Sequence, residues 1–351
     1  MKILLFARGL WNRAGIERMT VVLANALCEY HEVSIALIEP FDREKCPYEL
    51  DERVQVVSFN SYFKGFNLKN IKSLRKVVKQ ISPDVVITVA TPLVRISNPA
   101  LWGMKVRNIA WEHFNLYAGS KIGAYWKLLS TRLVEKTIVL CKDDEDNFKR
   151  RGAPGVMMIP NFSDMHKNPP TDFKNKVALA VGRHADQKGF DLLLKAWAKA
   201  DVKDWKLKIV GSGSLMQQNI QLAQELDLGD SVIFMESTSD VVSEYQNASC
   251  FILSSRYEGF GVVLIEARLL GLPAISFDCP TGPREIIRDG IDGFLVENGN
   301  IDALAAKITE VLAMDNLQDY GAAAREDAIS RFGYENVIKQ WLDLLEDPAV
   351  K

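Results

Sequence analysis

The stretch from Ser255 to Ala267 reads Ser-Arg-Tyr-Glu-Gly-Phe-Gly-Val-Val-Leu-Ile-Glu-Ala, and its residue types can do chemistry. Glu258 lies in a glycine-flanked loop, and Glu266 lies on the first turns of the apolar helix expected to follow. Gly259 and Gly261 let the backbone approach a ligand closely. The free amides that open the helix point at an anion. Two carboxylates with this offset can hold hydroxyls at opposite ends of one molecule. A second stretch, 181–191, reads Val-Gly-Arg-His-Ala-Asp-Gln-Lys-Gly-Phe-Asp. It sets two cations, Arg183 and Lys188, at the start of a helix, where the helix dipole disfavours positive charge. A bound anion resolves that mismatch, and the pair suits a diphosphate whose charge grows as a bond to it breaks. His184 between them reads as a loop residue. A third run, Asp278 to Ile287, holds Thr281 and Gly282 in a turn between Pro280 and Pro283. Earlier in the chain, Glu112-His113 follows an apolar run ending near Trp111 and forms a polar pair able to orient a substrate. Gly15 lies in the loop 12–18, ahead of the first helix.

Such residues must be held at strand ends, and the hydrophobic pattern supplies the strands. Apolar runs at 3–6, 33–38, 54–59, 85–89, 106–111 and 136–140 alternate with amphipathic stretches at 16–30, 68–81 and 122–133. A polar stretch with Pro169-Pro170, 163–176, reads as a linker. A second alternation follows, with strands at 177–181, 207–210, 232–235, 250–253, 273–277 and 293–296 and helices at 190–200, 215–226 and 263–270. Strands separated by helices imply parallel crossovers, hence doubly wound sheets. The expected class is α/β, two Rossmann-like domains whose parallel sheets face a central cleft, because ligands sit beyond the carboxyl ends of such strands. The expected domains are 1–162, the linker 163–176, then 177–332, with a final segment 333–351.

The 351 residues suit two domains of ordinary size. A hydrophobic content of 48% and a charged content of 25% are those of a soluble globular enzyme. A net charge of −2 excludes a nucleic-acid binder by bulk electrostatics, but residues 1–150 carry +7 and the remainder −9. The basic half is expected to meet something anionic. Five scattered cysteines with no Cys-x-x-Cys pair indicate neither zinc nor disulfides and fit a reduced cytoplasm. The first apolar run is too short for a signal sequence, and no run reaches the roughly 18 residues of a membrane span.

Glu258 and Glu266, separated by seven residues, resemble the signature of the family 4 retaining glycosyltransferases, which have the GT-B fold. The resemblance extends to Gly182-Arg183 with Lys188-Gly189-Phe190, to the Pro280–Glu285 run with Gly293 to Val296 after it, and to Ile159-Pro160-Asn161. It implies that Glu258 contacts the donor sugar ring. The backbone of Phe260, Gly261, Val262 and Val263 would bind sugar hydroxyls and phosphate, and Glu266 would accept from the ribose hydroxyls. Arg183 and Lys188 would neutralise the diphosphate, and Thr281 and Gly282 would edge the donor site. His113 stands where the family has a histidine reaching the sugar or the reacting centre. The family's glycine-rich loop has Gly-Gly where this chain has Ala14-Gly15, which leaves one Cβ near the diphosphate at Ala14. The final helix, 334–345, would pack back on the first domain through Trp341, Leu342 and Leu345.

The expected partners are a nucleotide-sugar donor, preferably a UDP-linked hexose or N-acetylhexosamine, and a glycan or lipid-linked acceptor. No cofactor is expected, and the reaction is expected to be metal-independent. Residues 62–79, without acids and bearing Lys64, Lys69, Lys72, Arg75, Lys76 and Lys79 behind Tyr62, Phe63 and Phe66, read equally as a helix lying on an anionic membrane and as an ordinary helix with a solvated basic face. The expected location is the cytoplasm, with the inner face of the plasma membrane as an attachment site. Other GT-B activities, a sugar-nucleotide epimerase or a glucan synthase, and a non-catalytic donor-binding scaffold remain alternatives.

Overall fold

The computed structural model describes residues 1–11, 15–63, 67–117 and 120–347. Asn12, Arg13 and Ala14 of the first loop, and Lys64 and Phe66 of the basic segment, lie outside the described residues. The chain divides into two compact units: Met1–Pro160 with Ile338–Lys351, and Asn161–Val337.

In the first unit, strands β1 (Lys2–Ala7), β2 (Glu32–Leu37), β3 (Gln55–Ser58), β4 (Val85–Val89), β5 (Arg107–Trp111), β6 (Lys136–Val139) and β7 (Val156–Met158) form one sheet in the order β3-β2-β1-β4-β5-β6-β7. All its pairs are parallel. Helices α1 (Gly15–Leu27), α2 (Leu68–Ile81), α3 (Val94–Leu101), α4 (Lys121–Thr131) and α5 (Lys142–Arg150) make crossovers. A sheet covered on both faces needs strands apolar on both, and all five residues of β4 are buried. Helix α2 starts on an Asn67 cap whose side chain accepts from Lys69 N, and it ends at Ser82 in the left-handed conformation. Its Ile71, Leu74, Val77 and Val78 pack with Leu4, Phe6 and Val86. The apolar face of this basic helix is therefore spent on the sheet, and Lys69, Lys72, Lys76 and Lys79 form its exposed side.

The last helix, numbered α13 below, spans Tyr334–Glu346, and from Ile338 onward it counts with the first unit. Trp341 meets Trp111 edge-on, with ring centroids 5.3 Å apart. The Arg107 guanidinium donates to Leu345 O at 2.6 Å and Leu344 O at 3.1 Å. The buried stripe is Val337, Ile338, Trp341, Leu344 and Leu345. Leu342, expected on this face, is only half-buried, because the 3.6-residue period carries the stripe from Trp341 to the 344–345 pair.

In the second unit, β8 (Val177–Val181), β9 (Lys206–Val210), β10 (Val232–Met235), β11 (Cys250–Leu253), β12 (Ala274–Phe277) and β13 (Gly293–Val296) form a parallel sheet in the order β10-β9-β8-β11-β12-β13. Its helices are α6 (Phe190–Lys199), α7 (Met216–Glu225), α8 (Val241–Gln246), α9 (Val262–Leu269), α10 (Pro283–Ile286), α11 (Ile301–Leu312) and α12 (Leu317–Phe332). The stretch 163–176 is fastened to this unit: Thr171 Oγ1 donates to Ala248 O at 2.5 Å and Gln246 O at 3.1 Å. A buried ion network also ties α9 to α12, with Arg268 bonding Asp292 at 2.7 Å and Asp327 at 3.1 Å. Burial opposes ionisation of Asp292, but hydrogen bonds and charge from Arg268, with Arg288 beyond, outweigh it and hold the carboxyl below its usual range.

In both sheets the strand order reverses at one place, between β1 and β4 and between β8 and β11. Crossovers diverge there and leave a crevice at the carboxyl ends of the strands.

Candidate active site

In the second unit the loops after β8 and β11 are bound to each other at this reversal. Gly189 has φ +61°, and a Cβ there would lie 2.2 Å from Ser254 O, so only glycine lets the loops touch. Ser254 Oγ donates to Lys188 O at 2.9 Å, and Gln187 Nε2 to Tyr257 O at 3.1 Å. The Arg256 guanidinium makes two bonds to the Asp191 carboxylate, at 2.9 and 2.8 Å. On this frame Lys188 Nζ reaches Glu258 Oε1 at 2.6 Å, and Ser255 Oγ donates to the same oxygen at 2.6 Å. The Lys188 and Glu258 side chains are 16% and 6% exposed.

The turn between the prolines closes on the same loop. Thr281, itself at φ +61°, donates its hydroxyl to Glu258 O at 2.5 Å. Gly282, at φ +100°, sits so close to Phe260 that a Cβ would lie 2.1 Å from the Phe260 carbonyl oxygen. Three sequence-distant motifs are thus one constellation. Arg183 at its edge is exposed, and its guanidinium has no ion-pair or hydrogen-bond partner among the described residues. Helix α9 opens at Gly261, φ +95°, and the amides of Val262 and Val263 make no hydrogen bond to any described residue. Those unspent donors and the unpaired guanidinium are what an anion requires.

Other expected residues are held by packing. Phe260 is buried with its ring edge-on to Phe332, so only its backbone can face a ligand. Glu266 is buried and accepts from Tyr245 Oη at 3.1 Å. His184 is buried against Phe190 with Asn219 Nδ2 2.9 Å from its Nδ1, and burial lowers its pKa. Burial, with the Glu258 charge adding to it, pushes the Cys279 thiol up to about 12, which disqualifies it as a nucleophile.

In the first unit, the loop after β5 is organised by Glu112. Its Oε1 accepts from the amides of His113 at 3.1 Å and Phe114 at 3.0 Å and lies 3.5 Å from Lys127 Nζ, while Oε2 accepts from Thr91 Oγ1. Lys127 also donates to the carbonyls of Phe114 at 3.2 Å and Asn115 at 2.8 Å. Glu112 is therefore spent on positioning the loop. His113 packs on Trp111 with centroids 4.2 Å apart, and its Nε2 is buried without a partner among the described residues. Burial lowers its pKa to about 3, so it is neutral near pH 7. Gly15 is exposed, and a Cβ there would meet no described residue within 4 Å.

Comparison with known proteins agrees in both halves. The Glycosyltransferase Family 4 profile matches residues 13–167 and the Glycosyl transferases group 1 profile matches residues 161–327. An uncharacterized glycosyltransferase of Haemophilus influenzae is 31% identical over 98% of this chain and 99% of its own. The chain belongs to glycosyltransferase family 4. A further relative of this glycosyltransferase, 30% identical over 96% of both chains, is the Campylobacter jejuni GalNAc-alpha-(1->4)-GalNAc-alpha-(1->3)-diNAcBac-PP-undecaprenol alpha-1,4-N-acetyl-D-galactosaminyltransferase. The fold is that of Anabaena HepE, solved in complex with UDP and glucose, with a TM-score of 0.82 at 17% identity over 98% and 99% of the two chains. This places the glycosyltransferase in the GT-B class.

The motifs did not reveal every residue that builds the site. Ser255, Thr91 and Lys127 hold its carboxylates, and a lone Ser, Thr or helical Lys carries no signal in one sequence. Gly211 and Gly213 did carry one, a Gly-x-Gly directly after an apolar run. They close on the backbone of Gly182 and His184, so the loop after β9 lies against the Arg183 loop. Among the described residues, no group of three or more His, Cys, Asp or Glu could hold a metal ion.

Proposed function

We propose that this glycosyltransferase moves a hexose or N-acetylhexosamine from a UDP-sugar to a hydroxyl of a glycan or lipid-linked acceptor in surface-polysaccharide assembly, with retention at the anomeric carbon. The observation that carries the donor half is the pairing of the unpartnered Arg183 with the free amides that open α9, beside the Lys188–Glu258 pair. Arg183, Lys188 and those amides supply positive charge to the departing diphosphate, the task that a metal ion performs in other sites. The bond from the anomeric carbon to the diphosphate oxygen breaks. The acceptor oxygen attacks the same face, and its proton passes to the leaving phosphate. Glu258 accepts from the sugar hydroxyls and fixes the ring, and in the first unit neutral His113 offers a hydrogen bond to the acceptor. The undecaprenol-linked acceptor named for the Campylobacter relative and the UDP bound in HepE favour a lipid-linked acceptor and a uridine nucleotide.

The test is a panel of UDP- and GDP-sugars scored by thermal stabilisation and by slow nucleotide release. At a hundredfold excess over Kd the cognate donor should add about 2.7 kcal/mol to stability. Glu258→Ala should remove most of the nucleotide release. A folded protein that responds to no donor, or a Glu258→Ala variant with wild-type release, refutes the proposal.

A further inference from the structure

Helix α4 keeps few of its apolar side chains inside. Ala124 and Leu128 pack on the cluster around Phe148, but its fully buried residues are Lys127, Ser130 and Thr131. Ser130 Oγ donates to Trp126 O at 2.8 Å, and Lys127 is engaged by Glu112 and two carbonyls. Its outward side carries Ile122, 71% exposed, Tyr125, 62%, and Trp126, 42%, with Leu133 exposed just past the helix end. Phe114 and Tyr117, on the loop that enters the helix, are exposed as well. A soluble helix normally turns such a stripe to the core, and a contiguous exposed apolar patch marks an interaction surface.

Charge says what the surface meets. From 113 to 134 the chain has no acid, and Lys121 and Arg132 stand exposed at the two ends of the patch. The Arg95 guanidinium lies 5.8 Å from the Trp126 ring centroid, and that of Arg151 lies 5.8 Å from the Tyr117 ring. Between Val54 and Val134 there are twelve Lys and Arg against two acids, Asp84 and the buried Glu112. Tyr and Trp flanked by cations, with acids excluded, suit the headgroup layer of an anionic bilayer, where aromatic rings sit at the boundary and cations meet phosphate.

We propose that α4, with the 114–117 loop, docks on an anionic lipid surface and that Ile122, Tyr125 and Trp126 enter its headgroup layer. The basic helix α2 adds long-range attraction without apolar insertion, since its apolar face is spent on the sheet. Glu112 and Lys127 make the docking helix and the loop of His113 one piece. A sugar acceptor carried in the membrane is thereby brought to that loop. This last step rests on the transferase reading; the docking surface does not.

The experiment is cosedimentation of the full chain with vesicles of phosphatidylcholine alone and with about 30% phosphatidylglycerol, a content that gives a negative surface potential. Wild type should bind the anionic vesicles and bind the neutral ones far less. Tyr125→Ser/Trp126→Ser should weaken binding about a hundredfold, since each ring is expected to contribute about tenfold. Lys121→Glu/Arg132→Glu should weaken it by a similar factor, whereas Trp126→Phe should retain most of it, which separates lost apolarity from misfolding. Anionic vesicles bound by the Tyr125/Trp126 double variant as well as by wild type, or not bound by wild type at all, overturn the proposal. Donor-nucleotide release measured on the same preparations keeps the two readings apart: vesicle binding without turnover sinks the transferase mechanism alone, and turnover without vesicle binding sinks this surface alone.

Discussion

Lys188→Met separates two tasks of one side chain. The Lys188 ammonium lies 2.6 Å from Glu258 Oε1 with the pair 16% and 6% exposed. Its loss leaves the carboxylate with Ser255 Oγ as remaining side-chain donor. Stranding one member of a fully buried pair costs about 3–5 kcal/mol. The residual access of this pair to water and the retained Ser255 bond reduce the expected cost to about 2–3 kcal/mol. For a unit of this size that lowers the thermal midpoint by about 4–12 °C. Lys188→Met/Glu258→Gln removes both charges and keeps an acceptor for Ser255, so it should recover at least half of that loss. Binding of UDP obeys a different rule. A charged hydrogen bond to the diphosphate contributes about 1.5–3 kcal/mol, so Lys188→Met should weaken UDP binding by about 10- to 100-fold. Glu258 is assigned to the sugar, so Glu258→Gln should leave UDP binding intact or tighten it by releasing Lys188. The double variant must then regain stability while UDP binding stays weak. Thermal melts beside titration calorimetry with UDP measure both. UDP affinity within twofold of wild type in Lys188→Met, or restored in the double variant, would show that Lys188 serves only as the partner of Glu258.

Three further outcomes follow from the geometry. The folded pKa of His113, about 3, lies below its ordinary 6.5, so the stability gained by keeping it neutral is complete above pH 6.5 and drains away as pH falls toward 3. Subtracting the acid melting curve of His113→Gln from that of wild type should reveal up to about 4 kcal/mol of this loss; parallel curves would refute the burial argument. Lys127→Met should cost about 1–2 kcal/mol, because Glu112 keeps Thr91 and two amides, whereas Glu112→Ala leaves a buried ammonium with two carbonyls but no counter-charge, frees three donors, and should cost about 3–4 kcal/mol; equal costs in thermal melts would contradict that ordering. Gly189→Ala should cost at least about 3 kcal/mol and abolish donor stabilisation, because its Cβ would overlap a backbone oxygen.

The architecture was legible because buried parallel strands are nearly continuous apolar runs, and each of the twelve strands read from the pattern is present. The thirteenth, β7, escaped because three residues, Val156 to Met158, carry too little pattern. Helix α5 was hidden for the opposite reason: Lys142–Arg150 is almost wholly charged, and tertiary packing of Phe148 fixes it. In the site, glycines and prolines gave away the loops of Lys188, Glu258 and Thr281, since backbone constraint leaves a mark on residue type. Side-chain partners left none, so Ser255, Thr91 and Lys127 went unread. Helix α4 shows a further limit. The spacing of Ile122, Tyr125, Trp126, Leu129 and Leu133 reveals that an apolar stripe exists, but periodicity has no sense of direction and cannot say that the stripe faces outward.

Lys188 and Glu258 are 70 residues apart in the chain, on opposite sides of the strand-order reversal. Their contact closes only after β8 and β11 have paired, and that pairing bears the loop entropy of everything between them. Ligand recognition is thus assembled among the last events of folding. In a refolding experiment UDP binding should return after helical structure has already reappeared. A nucleotide present during refolding should slow unfolding and leave the early phase unaltered. The same distance implies that no fragment ending before β11 can keep partial activity.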